Sequence, residues 1–271
     1  TASDIHPPLY YFLLRGWREL AGYTEFSLRA LSAFAGVVTV AVTMAIAQRL
    51  LETPKGAGGD DQITAVRQVL VARRSSLVAL FAGLFAAASP VLVYYSQETR
   101  MYALLALLAA ASTWALWVWL ARRERRWAAA YVLLVAAGLY THYFFPAVVA
   151  AQGLAALLWR QPAINNGRWR AAGRGPASVL RHPVAGWLLL ATVAAALYLP
   201  WVPIFLRQIG GRGGARAEAL DFLRESGRWF LLGSTIDRGE ATWALLVALG
   251  LALIGAVAGR RRLSQPRIGP R

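Results

Sequence analysis

The sequence predicts an all-α fold, namely a polytopic membrane helix bundle of about seven transmembrane helices with a juxtamembrane helix on its outer face. Hydrophobic residues make up 58% of the 271 positions, and charged residues only 15%. A globular domain averages roughly 45–50% apolar and about 25% charged residues, so this composition indicates a membrane protein. Apolar stretches of membrane-spanning length recur along the chain. Short arginine runs stand beside them, as the positive-inside bias produces.

Residues 1–27 form the first predicted segment, on the outer side of the membrane. Its central part, residues 8–20, is too short to span and carries Arg15, Arg18 and Glu19. Aromatic and cationic residues in one short stretch favour a helix that lies in the headgroup plane. We therefore expect an outer juxtamembrane helix in this segment.

The transmembrane bundle is predicted over residues 28–258. Five stretches have about the 17–25 residues needed to cross a hydrocarbon core about 30 Å thick, and they are 28–51, 76–95, 101–121, 184–206 and 241–258. The polar connection 52–74 contains a run of Gly and Asp and is predicted to be a flexible loop. Residues 127–159 would make one helix of about 50 Å, too long for a bilayer. The interruption at Thr141 and His142 predicts two short spans instead.

The distribution of basic residues predicts the orientation of the bundle. Lysine and arginine are more frequent on the side that receives residues 122–126, 160–181 and the basic tail 259–271, so that side is predicted to be cytoplasmic. The opposite, outer side receives the polar loops 96–100, 141–145 and 207–240. Polar clusters that are far apart in sequence are therefore expected to meet on the outer face.

Composition also excludes several classes of function. The formal net charge is +16, but the arginine runs lack interleaved aromatic residues and no nucleic-acid-binding module is present. The absence of cysteine excludes disulfides, thiolate metal ligands and a cysteine nucleophile within this chain. With only three histidines, no metal site is predicted, and the chain lacks a P-loop. We expect no nucleic-acid partner, no metal and no cofactor.

The loop at residues 96–100 is the first candidate site. It brings Gln97, Glu98 and Arg100 between two apolar stretches, with Tyr102 just beyond. Arginine suits bidentate phosphate binding, and a neighbouring carboxylate could orient the guanidinium or a substrate hydroxyl. A solvated loop whose arginine contacts lipid headgroups is the simpler alternative.

Two further polar clusters are candidates on the same face. Asp4 and His6 precede Pro7 and Pro8, so they form either a plain turn or a site for phosphate or sugar hydroxyls. His142 interrupts an apolar run beside Tyr143. Ionisable groups at membrane depth are functional candidates by default, although a histidine bonded to a nearby carbonyl is an equal alternative.

Four motifs taken together resemble a known family. They are DIHPPLYY at residues 4–11, SPVLVYYSQETRMY at 89–102, LYTHYF at 139–144 and YLPWVP at 198–203. Their order, with the small residues at 32–36, is similar to that of polytopic GT-C glycosyltransferases. These include the dolichyl-phosphate-mannose protein mannosyltransferases of glycosyltransferase family 39 and the lipid A aminoarabinose transferases. The resemblance covers roughly residues 1–206.

The resemblance implies a membrane enzyme that transfers a sugar from a polyprenyl-phosphate donor, with inversion, to a protein, lipid or glycan acceptor on the outer face. Arg100 would bind the donor phosphate and His6 would be a second contact. The other expected donor-site residues are Asp4, Gln97, Glu98, Tyr102, His142 and Tyr143. No nucleotide is implied. The family's general base lies in an Asp-Glu pair upstream of the His-Pro-Pro segment, so this chain is expected to be an N-terminally truncated fragment without it.

The resemblance also implies a multi-pass protein of a bacterial plasma membrane, with membrane lipids around it and its active face outward. Two alternatives stay open at the level of sequence. One is a non-catalytic carrier or binding protein for lipid-linked phosphate compounds, which would share the outer polar cluster but lack a base. The other is a structural membrane subunit without a site.

Overall fold

The computed structural model describes residues 6–51, 62–158 and 182–209, together with Leu246 and Gly250. The chain divides into two compact units, one comprising residues 1–88 and 92–213 and the other 89–91 and 214–271. Asp4, the predicted span 241–258, the tail 259–271 and nearly all of the loop 207–240 lie outside the described residues. Within the described ranges the structure is entirely helical, in agreement with the all-α prediction.

Nine α-helices and one 3₁₀ turn make up the described part of the chain. In chain order they are α1 (Leu9–Ala21), α2 (Glu25–Leu51), α3 (Gln62–Ala87), α4 (Pro90–Ser96), α5 (Tyr102–Arg122), α6 (Arg125–Leu139), α7 (Phe145–Leu157), α8 (Pro183–Tyr198), the 3₁₀ turn (Leu199–Trp201) and α9 (Val202–Ile209). All belong to the first unit, except that α4 begins in the second.

Three of these helical stretches are long and apolar enough to cross a membrane, namely Glu25–Arg49, Tyr102–Arg122 and Pro183–Arg207. They match the predicted spans 28–51, 101–121 and 184–206. A fourth is reached only if the bent pair Ser75–Ala87 and Pro90–Ser96 counts as one span. The described residues thus contain three or four candidate spans, and the count of about seven stays a prediction.

The predicted continuous span 76–95 is wrong at its centre, because the helix bends by 58° between Ala87 and Pro90. A proline has no N–H to donate and disfavours helical geometry in the residue before it. Pro90 therefore ends α3 and begins α4 as its first residue. The bend separates the seven-residue α4 from the longer helix that precedes it.

The predicted flexible loop 52–74 is also wrong over part of its length. Helix α3 already begins at Gln62, whereas residues 52–61 lie outside the described part. The stretch 62–74 is rich in Ala, Leu, Gln and Arg, all good helix formers. Its arginines made it look like a connection, but charge at a helix end does not interrupt backbone hydrogen bonding.

The predicted break within residues 127–159 is confirmed, since α6 and α7 are separate helices. They have 15 and 13 residues, roughly 20 Å each at 1.5 Å per residue. The turn between them is tight because the Phe145 ring occupies the space where a side chain on Gly138 would lie. Phe145 is fully buried, so this contact fixes how the two helices meet.

Helix α1 forms within the predicted juxtamembrane segment and ends at Gly22, whose φ of 88° is in the left-handed region that favours glycine. Tyr10 is buried, while Phe12 and Leu20 are exposed. The Trp17 indole N–H donates to the Ser27 carbonyl at 2.6 Å and ties α1 to the start of α2. The position of this helix relative to a membrane stays a prediction.

A buried polar network joins three helices in the core. The Tyr131 hydroxyl on α6 donates to Gln152 Oε1 on α7 at 2.9 Å. The amide of Gln152 in turn donates to the hydroxyls of Ser112 and Thr113 on α5, at 2.8 and 3.0 Å. Gln152, Ser112 and Tyr131 are all buried. Such groups need these partners, because an unpaired polar group in an apolar interior costs free energy.

We expect Gln152→Leu to lower the free energy of unfolding by about 1–3 kcal/mol, because it leaves the buried Tyr131 hydroxyl without its acceptor. Thermal unfolding in detergent would measure this. Gln48→Leu is the matched control, since Gln48 is exposed near the end of α2, and it should change stability little. Equal stability of the two variants would show that the network does not hold the helices together.

Candidate functional site

A tight turn joins α4 to α5 and carries the candidate arginine. The Gln97 N–H donates to the Tyr94 carbonyl at 3.1 Å, and the Arg100 N–H donates to the Glu98 carbonyl at 2.8 Å. Met101 is buried at the end of the turn. The backbone is thus held locally, while the Arg100 side chain is 63% exposed.

Helix α2 supports this turn with a face of small residues. Ser32, Ala35, Gly36 and Thr39 are buried at helical spacing. The Ser32 hydroxyl donates to the Arg100 carbonyl at 3.4 Å. The Ser96 hydroxyl lies where a side chain on Gly36 would be. Close approach of the two backbones therefore requires glycine at position 36.

The segment before α1 packs on the α6–α7 turn. The Leu9 N–H donates to the Tyr140 carbonyl at 3.0 Å. Thr141 is fully buried, and its hydroxyl donates to the Ala137 carbonyl at 2.7 Å. These contacts bring His6 to His142, with their ring centroids 5.8 Å apart and their planes 27° from parallel.

A pocket of about 280 Å³ opens where these segments meet. It is lined by His6, Tyr10, Tyr11, Thr99, Arg100, Met101 and Tyr102. The structure therefore brings together three of the predicted site residues, His6, Arg100 and Tyr102, although they come from distant parts of the chain. The roles assigned to them stay predictions.

Arg100 and Glu98 form an ion pair at the rim, with Arg100 Nε 3.1 Å from Glu98 Oε2. The pair is partly exposed, so its contribution to stability is small, about 0–1 kcal/mol. Its main effect is on geometry, because the carboxylate restrains one edge of the planar guanidinium. Glu98 does not line the pocket and contacts it through Arg100. Gln97 is exposed and does not line the pocket either.

The remaining predicted residues lie around the pocket. His142 is 6% exposed and packs behind the lining, with its ring centroid 5.4 Å from that of Tyr102. Tyr143 is directed toward α9, where its ring contacts Phe205 at 4.9 Å. The Tyr143 hydroxyl accepts a long hydrogen bond of 3.5 Å from the Trp201 indole. Neither His142 nor Tyr143 belongs to the pocket lining.

Four lining residues were not identified from the sequence: Tyr10, Tyr11, Thr99 and Met101. Burial raises the pKa of Tyr10 above its usual value, and an interaction with Ser32 offsets this only in part. Tyr10 therefore stays a neutral phenol at physiological pH. The available signal was the pair of tyrosines directly after Pro7 and Pro8, since a proline pair that starts a helix places the next residues near the preceding turn.

The lining combines aromatic rings, two groups that can carry positive charge and a hydroxyl. Aromatic faces suit sugar rings, and arginine suits phosphate oxygens. Among the described residues, no group of three His, Cys, Asp or Glu side chains is close enough to hold a metal ion. The arrangement can bind a phosphorylated, ring-containing ligand through its own side chains.

Comparison with known proteins identifies the group to which these features belong. The protein-family model for the protein O-mannosyl-transferase TMEM260 N-terminal domain matches residues 6–164, which is more than half of the chain and includes every pocket residue. No curated protein and no solved structure matches the chain. The match supports a mannosyltransferase-like family rather than glycosyltransferase family 39 or the aminoarabinose transferases in particular. With the long apolar helices, it identifies a membrane protein.

We expect Gly36→Ala to destabilise the protein by about 1–3 kcal/mol, because the added methyl group overlaps the Ser96 hydroxyl. Thermal unfolding in detergent is the measurement. Ser96→Ala in the same chain should restore most of the loss, since it removes the overlapping oxygen. Gly16→Ala in α1 is the control, because nothing lies within 4 Å of the added atom. A loss that Ser96→Ala fails to reverse would contradict this explanation.

Proposed function

This chain belongs to the family of the protein O-mannosyl-transferase TMEM260 N-terminal domain, and from this premise we propose that it transfers mannose from a polyprenyl-phosphate donor to an acceptor hydroxyl. The family match supports a membrane glycosyltransferase in general terms. The donor, the acceptor and the outward orientation are parts of the proposal. The acceptor is a protein, a lipid or a glycan, and the host membrane is a bacterial plasma membrane.

The observation that carries the proposal is the convergence of Arg100 and His6 on one pocket. The planar guanidinium of arginine presents a fork of N–H groups that matches two oxygens of a phosphate. Its Nε faces Glu98, so the side of the guanidinium that carries both terminal nitrogens is directed to the donor. Tyr10, Tyr11 and Tyr102 supply ring faces for the sugar.

The chemistry is a displacement at the anomeric carbon. The acceptor oxygen forms a bond to C1 of the sugar while the bond from C1 to the phosphate oxygen breaks, and its electron pair stays on the phosphate. Arg100 stabilises the negative charge that develops there, as electrostatic groups do at other oxyanion sites. A general base takes the acceptor proton. We assign that base to a carboxylate upstream of Thr1, as the resemblance implies.

One observation favours the carrier as a second candidate. None of the seven pocket-lining residues is a carboxylate, and Glu98 at the rim is already paired with Arg100. A protein that binds a lipid-linked phosphate without transferring its sugar would need the same cation and aromatic rings but no base.

A transfer assay separates these functions. The purified chain, alone and within the longest reading frame that contains it, is incubated with mannose-labelled polyprenyl phosphate mannose and a mixture of peptide and lipid acceptors. Labelled acceptor from either sample supports the transferase. Donor that is retained by the protein without any transfer from either sample supports the carrier, and neither binding nor transfer overturns both.

We expect Arg100→Lys to weaken binding of an alkyl phosphate such as dodecyl phosphate at least tenfold, because an ammonium cannot reproduce the fork. A charge-assisted hydrogen bond contributes about 1.5–3 kcal/mol, and each 1.4 kcal/mol corresponds to tenfold in affinity. Calorimetry in detergent would measure the change.

Arg29→Lys is the matched control for this substitution. Arg29 is an exposed arginine on α2 that pairs with Glu25 and lies outside the pocket lining, so its replacement should leave the affinity unchanged. Equal affinities of the Arg100→Lys and wild-type proteins would remove Arg100 from the donor site.

A further inference from the structure

His142 occupies an unusual position behind the pocket. Its ring is nearly enclosed, with 6% exposure. It stacks between His6, at a centroid distance of 5.8 Å, and Phe144, at 5.1 Å, with interplanar angles of 27° and 29°. Tyr102 packs against it at 5.4 Å. Two of these three neighbours line the pocket, whereas His142 itself does not.

The orientation of the His142 ring is fixed by its own turn. The Phe144 backbone N–H donates to His142 Nδ1 at 3.1 Å. A nitrogen that accepts a hydrogen bond carries no proton, so the proton of the neutral imidazole lies on Nε2. The backbone is held at both ends as well, because the His142 N–H donates to the Gly138 carbonyl at 3.0 Å and the Phe145 N–H donates to the His142 carbonyl at 3.1 Å.

We propose that His142 is a positioning residue for the pocket: a neutral ring with its proton on Nε2 that holds the His6 and Tyr102 rings in place without touching the ligand. The proposal rests on the proposed function in one respect, since it takes His6 and Tyr102 as ligand contacts. It departs from the sequence interpretation, in which His142 lines the pocket.

The placement of His6 explains why such a residue is needed. His6 precedes α1, and the nearest backbone hydrogen bond to another segment is that of Leu9, three residues later. Backbone contacts alone therefore leave the imidazole free to rotate about its side-chain bonds. Stacking on a ring that is itself fixed by Phe144 restricts the plane of His6. Because Nδ1 of His142 is an acceptor, the fixing ring adds no positive charge beside His6 and Arg100.

A double-mutant cycle tests the proposal with dodecyl phosphate as the probe. His142→Ala should weaken binding about tenfold in the otherwise unchanged protein, and less than twofold when His6 is already replaced in His6→Ala. Contacting residues show this non-additivity, whereas independent sites add. His142→Phe keeps a ring in the stack and should bind the probe within threefold of the wild-type protein. A tenfold effect of His142→Ala in both backgrounds would overturn the proposal.

Thr141→Val is the control for general damage to the turn. Thr141 is buried next to His142 and donates to the Ala137 carbonyl, but it has no ring contact with His6. This variant should lower the melting temperature and leave probe affinity unchanged. Loss of affinity equal to that of His142→Ala would assign the effect to the turn as a whole and would overturn the specific role of His142.

A spectroscopic measurement tests the same inference without any ligand. The chain has three histidines, so ring-labelled protein gives three imidazole signals, with His182 as the internal reference. The nitrogen shifts of His142 should show protonation on Nε2, and His142→Ala should displace the His6 signal and leave that of His182. A proton on Nδ1, or an unmoved His6 signal, overturns the proposal. If His6→Ala and Arg100→Lys leave probe binding intact, the donor site fails instead, and this measurement alone decides the role of His142.

Discussion

One backbone hydrogen bond, from the Leu9 N–H to the Tyr140 carbonyl, supports the whole site. It joins two segments that are more than a hundred residues apart in the chain. Closing so long a loop costs conformational entropy, although the cost grows only slowly with length. Because the bond lies between the start of α1 and the α6–α7 turn, it sets the distance between His6 and His142. Without it, one wall of the pocket would have no fixed relation to the other.

The opposite wall depends on steric room rather than on a hydrogen bond. The 58° bend at Pro90 turns α4 away from the axis of α3, and Gly36 lets the end of α4 approach α2. The turn that follows carries Arg100, whose carbonyl is held by Ser32. A cationic side chain is thus mounted on a backbone with little freedom. Preorganisation of this kind lets a charged group stabilise a ligand without reorganising first.

The sequence predicted those parts of the fold that follow from local rules. Apolar length was enough for the helices Glu25–Arg49, Tyr102–Arg122 and Pro183–Arg207, and the interruption at His142 was enough to separate α6 from α7. The alternation of spans also led to the expectation that His6 and Arg100 meet. The bend at Pro90 and the helical character of residues 62–74 were missed, because apolar length and charge were given more weight than proline geometry and helix propensity.

The details of the site could not be predicted in the same way. Which rings stack on His142, and whether it faces the pocket or lies behind it, depends on contacts among four segments that no local pattern encodes. Tyr143, next to it in sequence, is directed instead to Phe205 and Trp201. Adjacent residues in a tight turn point in different directions, so a motif identifies the neighbourhood of a site but not the individual contacts.

The buried network around Gln152 has a consequence for how the protein is made. Helix α7 has 13 residues, roughly 20 Å, and carries an amide at its middle. Alone in a lipid bilayer it would be short of the hydrocarbon thickness and would expose that amide to acyl chains. Its partners Tyr131, Ser112 and Thr113 all precede it in the chain. Biogenesis therefore follows the order of synthesis, in which α5 and α6 provide the polar surface on which α7 enters the membrane.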